Sequence, residues 1–256
     1  MSIRSFLTAT GLAAGLSLLP VAAADAASAT SAPTPVVEPG ALNALSKMGV
    51  YLRTLPAFEV ACDTVREEVD LNDQKLQFLG STIYKAKKDP DGLVVDVAED
   101  RRVRHFVYDG KTATMFAPKY GYYAKIDAPP TIRGLLDLLD SKYGVVFPLE
   151  DLFLWGTDAD RRTSLKRGYL VGSARISGQD TDQYAFREKG LDWQIWIARG
   201  DKPLPLRITV AGTADPKLPQ MEASLKWNTA PKFTANTFAF KAPAGAKPIS
   251  IVTISR

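Results

Sequence analysis

The chain has 256 residues, 46% of them hydrophobic, 23% charged and 9% aromatic, and these proportions exclude a disordered, collagenous or coiled-coil protein. Its single cysteine, Cys62, rules out an intramolecular disulfide and a cysteine-based structural zinc site, and its single histidine, His105, removes most histidine-dependent hydrolytic and metal chemistry. The net charge of +4 is mild and dispersed, which speaks for no dedicated nucleic-acid surface.

In chain order, Arg4 opens a largely apolar, uncharged stretch from Phe6 to Leu19, followed by Pro20 and the small-residue run Val21-Ala22-Ala23-Ala24-Asp25-Ala26. This is the pattern of a secretory signal peptide cleaved after Ala24 or after Ala26, with an apolar core shorter than the roughly 20 residues of a spanning helix. Residues 25–39 are rich in Pro, Ala, Ser and Thr and read as a flexible leader, so the expected organisation is signal peptide 1–24, leader 25–39 and a single domain over 40–256. The first helix is expected over Ala41 to Arg53, where Leu42, Leu45, Met48 or Gly49, and Leu52 share a face and Pro56 ends the run.

From Ala57 to Ile126 the period changes to two. Phe58-Val60-Cys62, Leu76-Phe78, Leu93-Val95-Val97, Val103-His105-Val107 and Tyr120-Tyr122-Ala124-Ile126 alternate with more polar neighbours, as half-buried strands do. Asp91-Gly92 and Asp109-Gly110 suit tight hairpins with glycine at positive φ, and connections this short require an antiparallel meander. Pro129-Pro130-Thr131 then opens a helix with Ile132, Leu135, Leu136, Leu139 and Tyr143 on one face and Gly144 as its stop. Pro148 starts a second short helix through Trp155 to Gly156. Further strands are expected over residues 165–177, 183–188, 191–199, 206–212, 221–227, 237–241 and near 249–254.

The search for catalytic constellations yields absences. There is no G-x-S-x-G, S-x-x-K, G-x-x-x-x-G-K-[ST], G-x-G-x-x-G or H-E-x-x-H. His105 alternates with Val103 and Val107 as a core or sheet-surface residue, and Cys62 reads as a small buried filler. The acidic pairs Asp70 and Asp73, Asp89 and Asp91, Glu99 and Asp100, and Asp158 and Asp160 fall in turn-like segments where Asp bonds its own backbone. Arg101-Arg102-Val103-Arg104-His105 is the densest basic run and reads as a solvated strand face. The aromatics of Tyr120-Gly121-Tyr122-Tyr123 and Trp193-Gln194-Ile195-Trp196-Ile197 lack the interleaved Lys and Arg of a base-stacking platform, so no nucleic acid is expected.

One ordered set of motifs carries a family resemblance: Tyr108-Asp109-Gly110-Lys111-Thr112, Tyr122-Tyr123-Ala124, Pro129-Pro130-Thr131, Lys142-Tyr143-Gly144, Pro148-Leu149-Glu150-Asp151-Leu152, Asp192-Trp193-Gln194-Ile195-Trp196-Ile197, Gly200, Pro203-Leu204-Pro205 and Trp227-Asn228. From about Ala41 to the C-terminus the chain resembles a bacterial family of periplasmic proteins, domain of unknown function 2092, a branch of the outer-membrane lipoprotein carrier superfamily. The resemblance implies a mainly β (α+β) fold: a strongly curved antiparallel sheet, an incomplete barrel, with three amphipathic helices across its concave face as a lid over an apolar cavity. It also implies a non-catalytic periplasmic carrier or chaperone of a lipid or acylated ligand. The alternative is a sensor or scaffold that binds an envelope protein through the same sheet and lid, with a hydrolase more remote.

The family supplies no ligand residues. Candidate ligand-binding positions therefore come from alternation: Phe58, Val60, Trp193, Ile195, Ile208, Ala223 and Leu225 on strands, beneath Leu135 and Leu139 on the helix. No catalytic residue, metal or cofactor is expected. The partners expected are a lipid or acylated protein, an envelope protein and a transient membrane surface, around a monomer.

Overall fold

The computed structural model describes residues 36–100, 102–157, 164–234 and 236–254. The signal peptide, leader residues 25–35, Arg101 and the pair Asp158 and Asp160 lie outside the described residues. Helix α1 spans Pro39–Thr54, with proline in the first turn, where the missing N–H is not needed. It buries Ala41, Leu45, Met48, Gly49 and Leu52, while Leu42 is half-buried beside that stripe. Just before it, Val37 bridges Gly168, whose carbonyl accepts from the Glu38 N–H at 2.8 Å.

Six strands follow as a meander: β1 (Ala57–Val69), β2 (Lys75–Lys87), β3 (Gly92–Glu99), β4 (Val103–Tyr108), β5 (Thr112–Ala117) and β6 (Tyr122–Asp127). Helices α2 (Ile132–Tyr143) and α3 (Asp151–Leu154) come next, then a second meander of β7 (Arg167–Ile176), β8 (Gln179–Glu188), β9 (Leu191–Ala198), β10 (Pro205–Gly212) and β11 (Gln220–Asn228), and a two-residue β12 (Lys247–Pro248). The twelve strands form one unclosed sheet in the order β12-β6-β5-β4-β3-β2-β1-β11-β10-β9-β8-β7. The two meanders meet where β1 pairs antiparallel with β11, Val60 opposite Trp227 and Cys62 opposite Leu225. All pairings are antiparallel except β12 with β6. The result is the mostly β incomplete barrel that the resemblance implies.

The inner face carries the core. Phe58, Val60 and Cys62 on β1, Tyr84 and Ala86 on β2, Phe106 and Tyr108 on β4, Ile195 on β9, Ile208 on β10 and Ala223 and Leu225 on β11 are buried in one cluster with the apolar faces of α1 and α2. Every second residue turned inward is what period-two alternation predicts.

Several expectations need correction. The third helix is a single turn, shorter than the run from Pro148 to Gly156 suggested. Strand β5 lies between the segments whose alternation marks strands. On β4 the core residues are Phe106 and Tyr108; Val107, Val103 and His105 have the opposite parity, with Val107 in a small outer cluster with Val94 and Phe238. The strand expected at 237–241 is absent: 236–238 form a turn, Phe238 covers Val94 and Val107, and Phe240 lies 5.4 Å from the ring of Tyr123. Near 249–254 pairing is limited to Lys247–Pro248, after which the Ile249 N–H donates to Tyr123 at 2.8 Å and the Ile254 N–H to Lys142 at 3.0 Å. Pro231, Pro243 and Pro248 lack the donors a ladder needs, so this segment straps the outer face with its aromatic rings. Gly110 has the expected positive φ of 89°, but Gly92 does not; at that turn Asp89 carries the φ of 53°. Gly92 is needed for space, because a Cβ there would lie 2.8 Å from the Phe238 ring.

Candidate functional site

The site is built from an apolar sheet face and the helical segment that closes it. Thr131 caps α2, its hydroxyl accepting from the Gly134 N–H at 3.1 Å, and Asp91 on the β2–β3 turn accepts from the Ile132 N–H at 2.8 Å. Gly144 ends α2 at φ 64°, its N–H donating to the Asp140 carbonyl at 3.1 Å as in an αL cap, and the Val145 N–H reaches back to the Leu139 carbonyl at 2.9 Å. Between these caps Ile132, Leu135, Leu136 and Leu139 are buried against the sheet.

The lid is fastened at its ends. The Tyr108 hydroxyl, rising from β4, donates to the Pro129 carbonyl at 2.5 Å, just before α2. The Tyr84 hydroxyl, rising from β2, donates to the Pro148 carbonyl, just before α3. Two tyrosines rooted in the sheet thus hold the chain on either side of α2, each bringing a large apolar body and one polar tip. Arg53 at the end of α1 donates to the Phe153 carbonyl at 2.9 Å and to the Leu152 carbonyl, filling the C-terminal end of α3 with a cation. Where α1 crosses the end of α3, Gly49 and Gly156 meet so closely that a Cβ on Gly49 would lie 2.6 Å from the Gly156 nitrogen. Phe147 packs edge-on against Phe106 at 4.8 Å, and Phe153 lies between Phe58 and Tyr84 at 5.7 and 5.8 Å.

Two clefts open at the ends of this lid. One, of about 280 Å³, lies at the α1 C-terminus over Leu52, Leu55, Phe58, Ala86, Ile132 and Phe153. The other, of about 520 Å³, lies between Val95, Val97, Phe106 and Met115 on the sheet and residues 144–148 of the α2–α3 connection, with Arg102 and Arg104 at its edge. Both volumes are near or within the range of small-molecule sites.

All nine positions expected to bind ligand are buried in the main core: Phe58, Val60, Leu135, Leu139, Trp193, Ile195, Ile208, Ala223 and Leu225. Register brings them together, with Ile208 opposite both Ile195 and Ala223, and Val60 opposite Trp227. Phe58 also lines the smaller cleft, and Trp193 lines a third of about 220 Å³ between β7 and β11; the other seven line none of the three. Of the lid's fasteners, Tyr108 belongs to the motif set that carries the resemblance and Tyr84 to no sequence expectation, although its even spacing with Thr82 and Ala86 is a signal that could have found it.

Electrostatically the lid is unusual at Glu150, whose carboxyl is pushed up to about 7, mainly by burial, with Asp151 and Asp140 adding repulsion. Burial, assisted by Asp63, pushes the Cys62 thiol up to about 12, which makes it inert. Of the acidic pairs that are described, Asp70 sits in a turn and accepts from the backbone N–H groups of Asn72 and Gln74 at 2.8 and 2.9 Å, whereas Asp91 caps α2, Glu99 ends β3 in an ion pair with Arg102, and Asp100 accepts from the Leu79 N–H at 3.0 Å. No cluster of three or more metal-ligating side chains occurs among the described residues.

Residues 41–252 match the profile of a single family. The chain belongs to the family of predicted periplasmic proteins defined by domain of unknown function 2092. This places the protein in the periplasm. No curated protein matches the chain. Among solved structures it is similar to the Mycobacterium tuberculosis lipoprotein LppX, with 13% identity and a TM-score of 0.48 over 76% of this chain and 98% of that one. It is similar also to an uncharacterized conserved protein from Thermus thermophilus, with 12% identity, a TM-score of 0.47 and coverage of 82% and 99%. LprF from Mycobacterium bovis gives 12% identity, 0.43, and coverage of 82% and 99%.

Proposed function

We propose that this family member is a non-catalytic carrier or chaperone of a lipid or acylated ligand in the periplasm. The observation that carries the reading is the lid: a helical segment fastened at its ends by a few hydrogen bonds over a continuous apolar sheet face. An acyl chain enters at the 520 Å³ cleft and, as the lid lifts, runs along the core face of Phe58, Val60, Trp193, Ile195, Ile208, Ala223 and Leu225, beneath Leu135 and Leu139. Burial of each methylene contributes about 0.8 kcal/mol, so a sixteen-carbon chain gains on the order of 12 kcal/mol gross. Micromolar affinity needs about 8 kcal/mol net of the ordering costs.

Native mass spectrometry of gently purified protein tests the reading. A co-purified or titratable lipid is expected, with uptake reduced in Ile195→Gln and unchanged in Asp137→Asn, since Asp137 lies on the exposed side of α2. Reproducible absence of bound lipid at micromolar concentrations, with Ile195→Gln affecting stability alone, refutes it. The second reading, a protein-binding sensor, draws on the β7 edge, where Leu170 and Val171 are about half exposed beside a bulge and, among the described residues, β8 and the Val37 bridge at Gly168 are what pair with the strand. A stable protein partner in pull-down, without lipid, would favour it.

A further inference from the structure

We propose that the larger cleft selects an amphiphile with an anionic head, gripped at the mouth by Arg104 while the acyl chain runs inward along Val97, Phe106 and Met115. The occupant's acyl chain rests on the carrier reading above; the charge of its head comes from the following geometry.

Successive even-numbered residues of β4 and the turn before it share the inner face. Tyr108 and Phe106 are buried, Arg104 is half-buried and Arg102 is exposed, so one strand face grades from core to cation to water. Arg104 lies opposite Val97 in the β3–β4 register and lines the cleft together with it. Its guanidinium donates through Nη1 to the Val103 carbonyl at 2.8 Å and stands 6.0 Å from the ring of Tyr120, and no carboxylate pairs with it among the described residues. Three arginines on the other half of the sheet are matched, Arg207 with Glu222 at 2.7 Å, Arg199 with Asp182 at 2.6 Å and Arg187 with Asp192 at 2.5 Å, while Arg167 on β7 lies over the Tyr169 ring. At the cleft itself Arg102 is held by Glu99 at 2.7 Å, which leaves Arg104 as the uncompensated charge beside an apolar wall. A guanidinium with no counter-charge at the edge of an apolar cleft has its planar fork free to meet a carboxylate or phosphate bidentately. The arrangement is therefore complementary to a molecule that is apolar along its length and anionic at one end.

The test titrates hexadecanoate, hexadecan-1-ol and inorganic phosphate into the periplasmic protein and its Arg104→Gln variant. Hexadecanoate is expected to bind at least tenfold more tightly than the alcohol. Arg104→Gln brings the acid to the alcohol's level and leaves the alcohol unchanged. Raising salt on the unaltered protein weakens the acid alone, a readout that holds even if the variant folds poorly. Equal binding of acid and alcohol, insensitive to salt, overturns the head site and leaves the carrier reading standing. Phosphate binding that depends on Arg104 with neither amphiphile bound overturns the amphiphile and the carrier reading together, as does the absence of all three.

Discussion

Replacing Tyr84 by Phe removes one atom from the centre of the lid's attachment. Tyr84 is fully buried and its hydroxyl donates to the carbonyl of Pro148, itself buried, so the substitution leaves that carbonyl without a partner in a dry place. A hydrogen bond of this kind contributes about 1 kcal/mol net, and an orphaned buried acceptor costs about 1–3 kcal/mol. The lost bond joins lid to sheet and belongs to no strand ladder. The cost therefore falls on the closed lid, and the open population rises by about 5- to 150-fold. Native-state hydrogen exchange reads this directly. The amides of Phe153 and Trp155, which donate to Glu150 and Asp151 at 2.8 and 2.9 Å, are expected to lose protection by that factor. Those of the β9–β10 ladder, Ile195 to Ile208 among them, should keep theirs. Tyr108→Phe should act in the same way at the other end, through Pro129. Lid amides that lose protection only in step with β9 and β10 would show that lid and sheet open as one unit and refute the argument.

Gly49→Ala gains about 1 kcal/mol of helix propensity, but its Cβ meets the Gly156 backbone at 2.6 Å, and overpacking of about 1–3 kcal/mol decides the sign; urea unfolding should show a net loss. The Glu150 carboxyl, raised from 4.5 to about 7 by burial, favours the closed lid while protonated. Its stabilisation is therefore full below about pH 4.5 and lost as pH rises through 7, and Glu150→Gln should flatten that slope in thermal unfolding followed across pH 5–8. Cys62, 1% exposed and pushed up to about 12, should resist a thiol reagent at pH 8 in the native protein and react fully in denaturant; rapid native labelling would place it outside the core.

Much of the fold is legible because two signals are local. Period-two alternation marks Phe58, Val60 and Cys62 as one face, and the i, i+3, i+4, i+7 set Ile132, Leu135, Leu136 and Leu139 marks the buried face of α2 within a residue of its bounds. Thr131 and Gly144 punctuate that helix by side-chain and backbone chemistry that a sequence displays openly. The C-terminal segment defeats the same reasoning. Phe238 and Phe240 alternate like strand residues, yet their partners are the outer faces of β3 to β6, more than a hundred residues earlier, and nothing local distinguishes a ring that plugs a sheet from one that lies in it. On β4 alternation is legible but its parity is not, since Val103 and Val107 are as apolar as Phe106 and Tyr108.

The candidate site shows a sharper limit. Alternation says which residues turn inward, and all nine expected positions do; it is silent on where along an inward face the cover ends. The inner row of β4 begins at Tyr108, whose hydroxyl meets the Pro129 carbonyl just before α2, passes through Phe106 and ends in Arg104, which with Arg102 just before the strand lines the cleft beside residues 144–148. Read alone, the two arginines are the solvated face that a basic run normally forms. Set beside Val97, Met115 and residues 144–148, the same arginines stand at the mouth of an apolar cleft. An apolar cleft in such a half-barrel is therefore to be sought where the cover stops short of the sheet, at positions whose inward parity conflicts with their polarity. Arg104 is that conflict on β4, and a charge on an inward-facing row is the one trace of the cleft that the sequence carries.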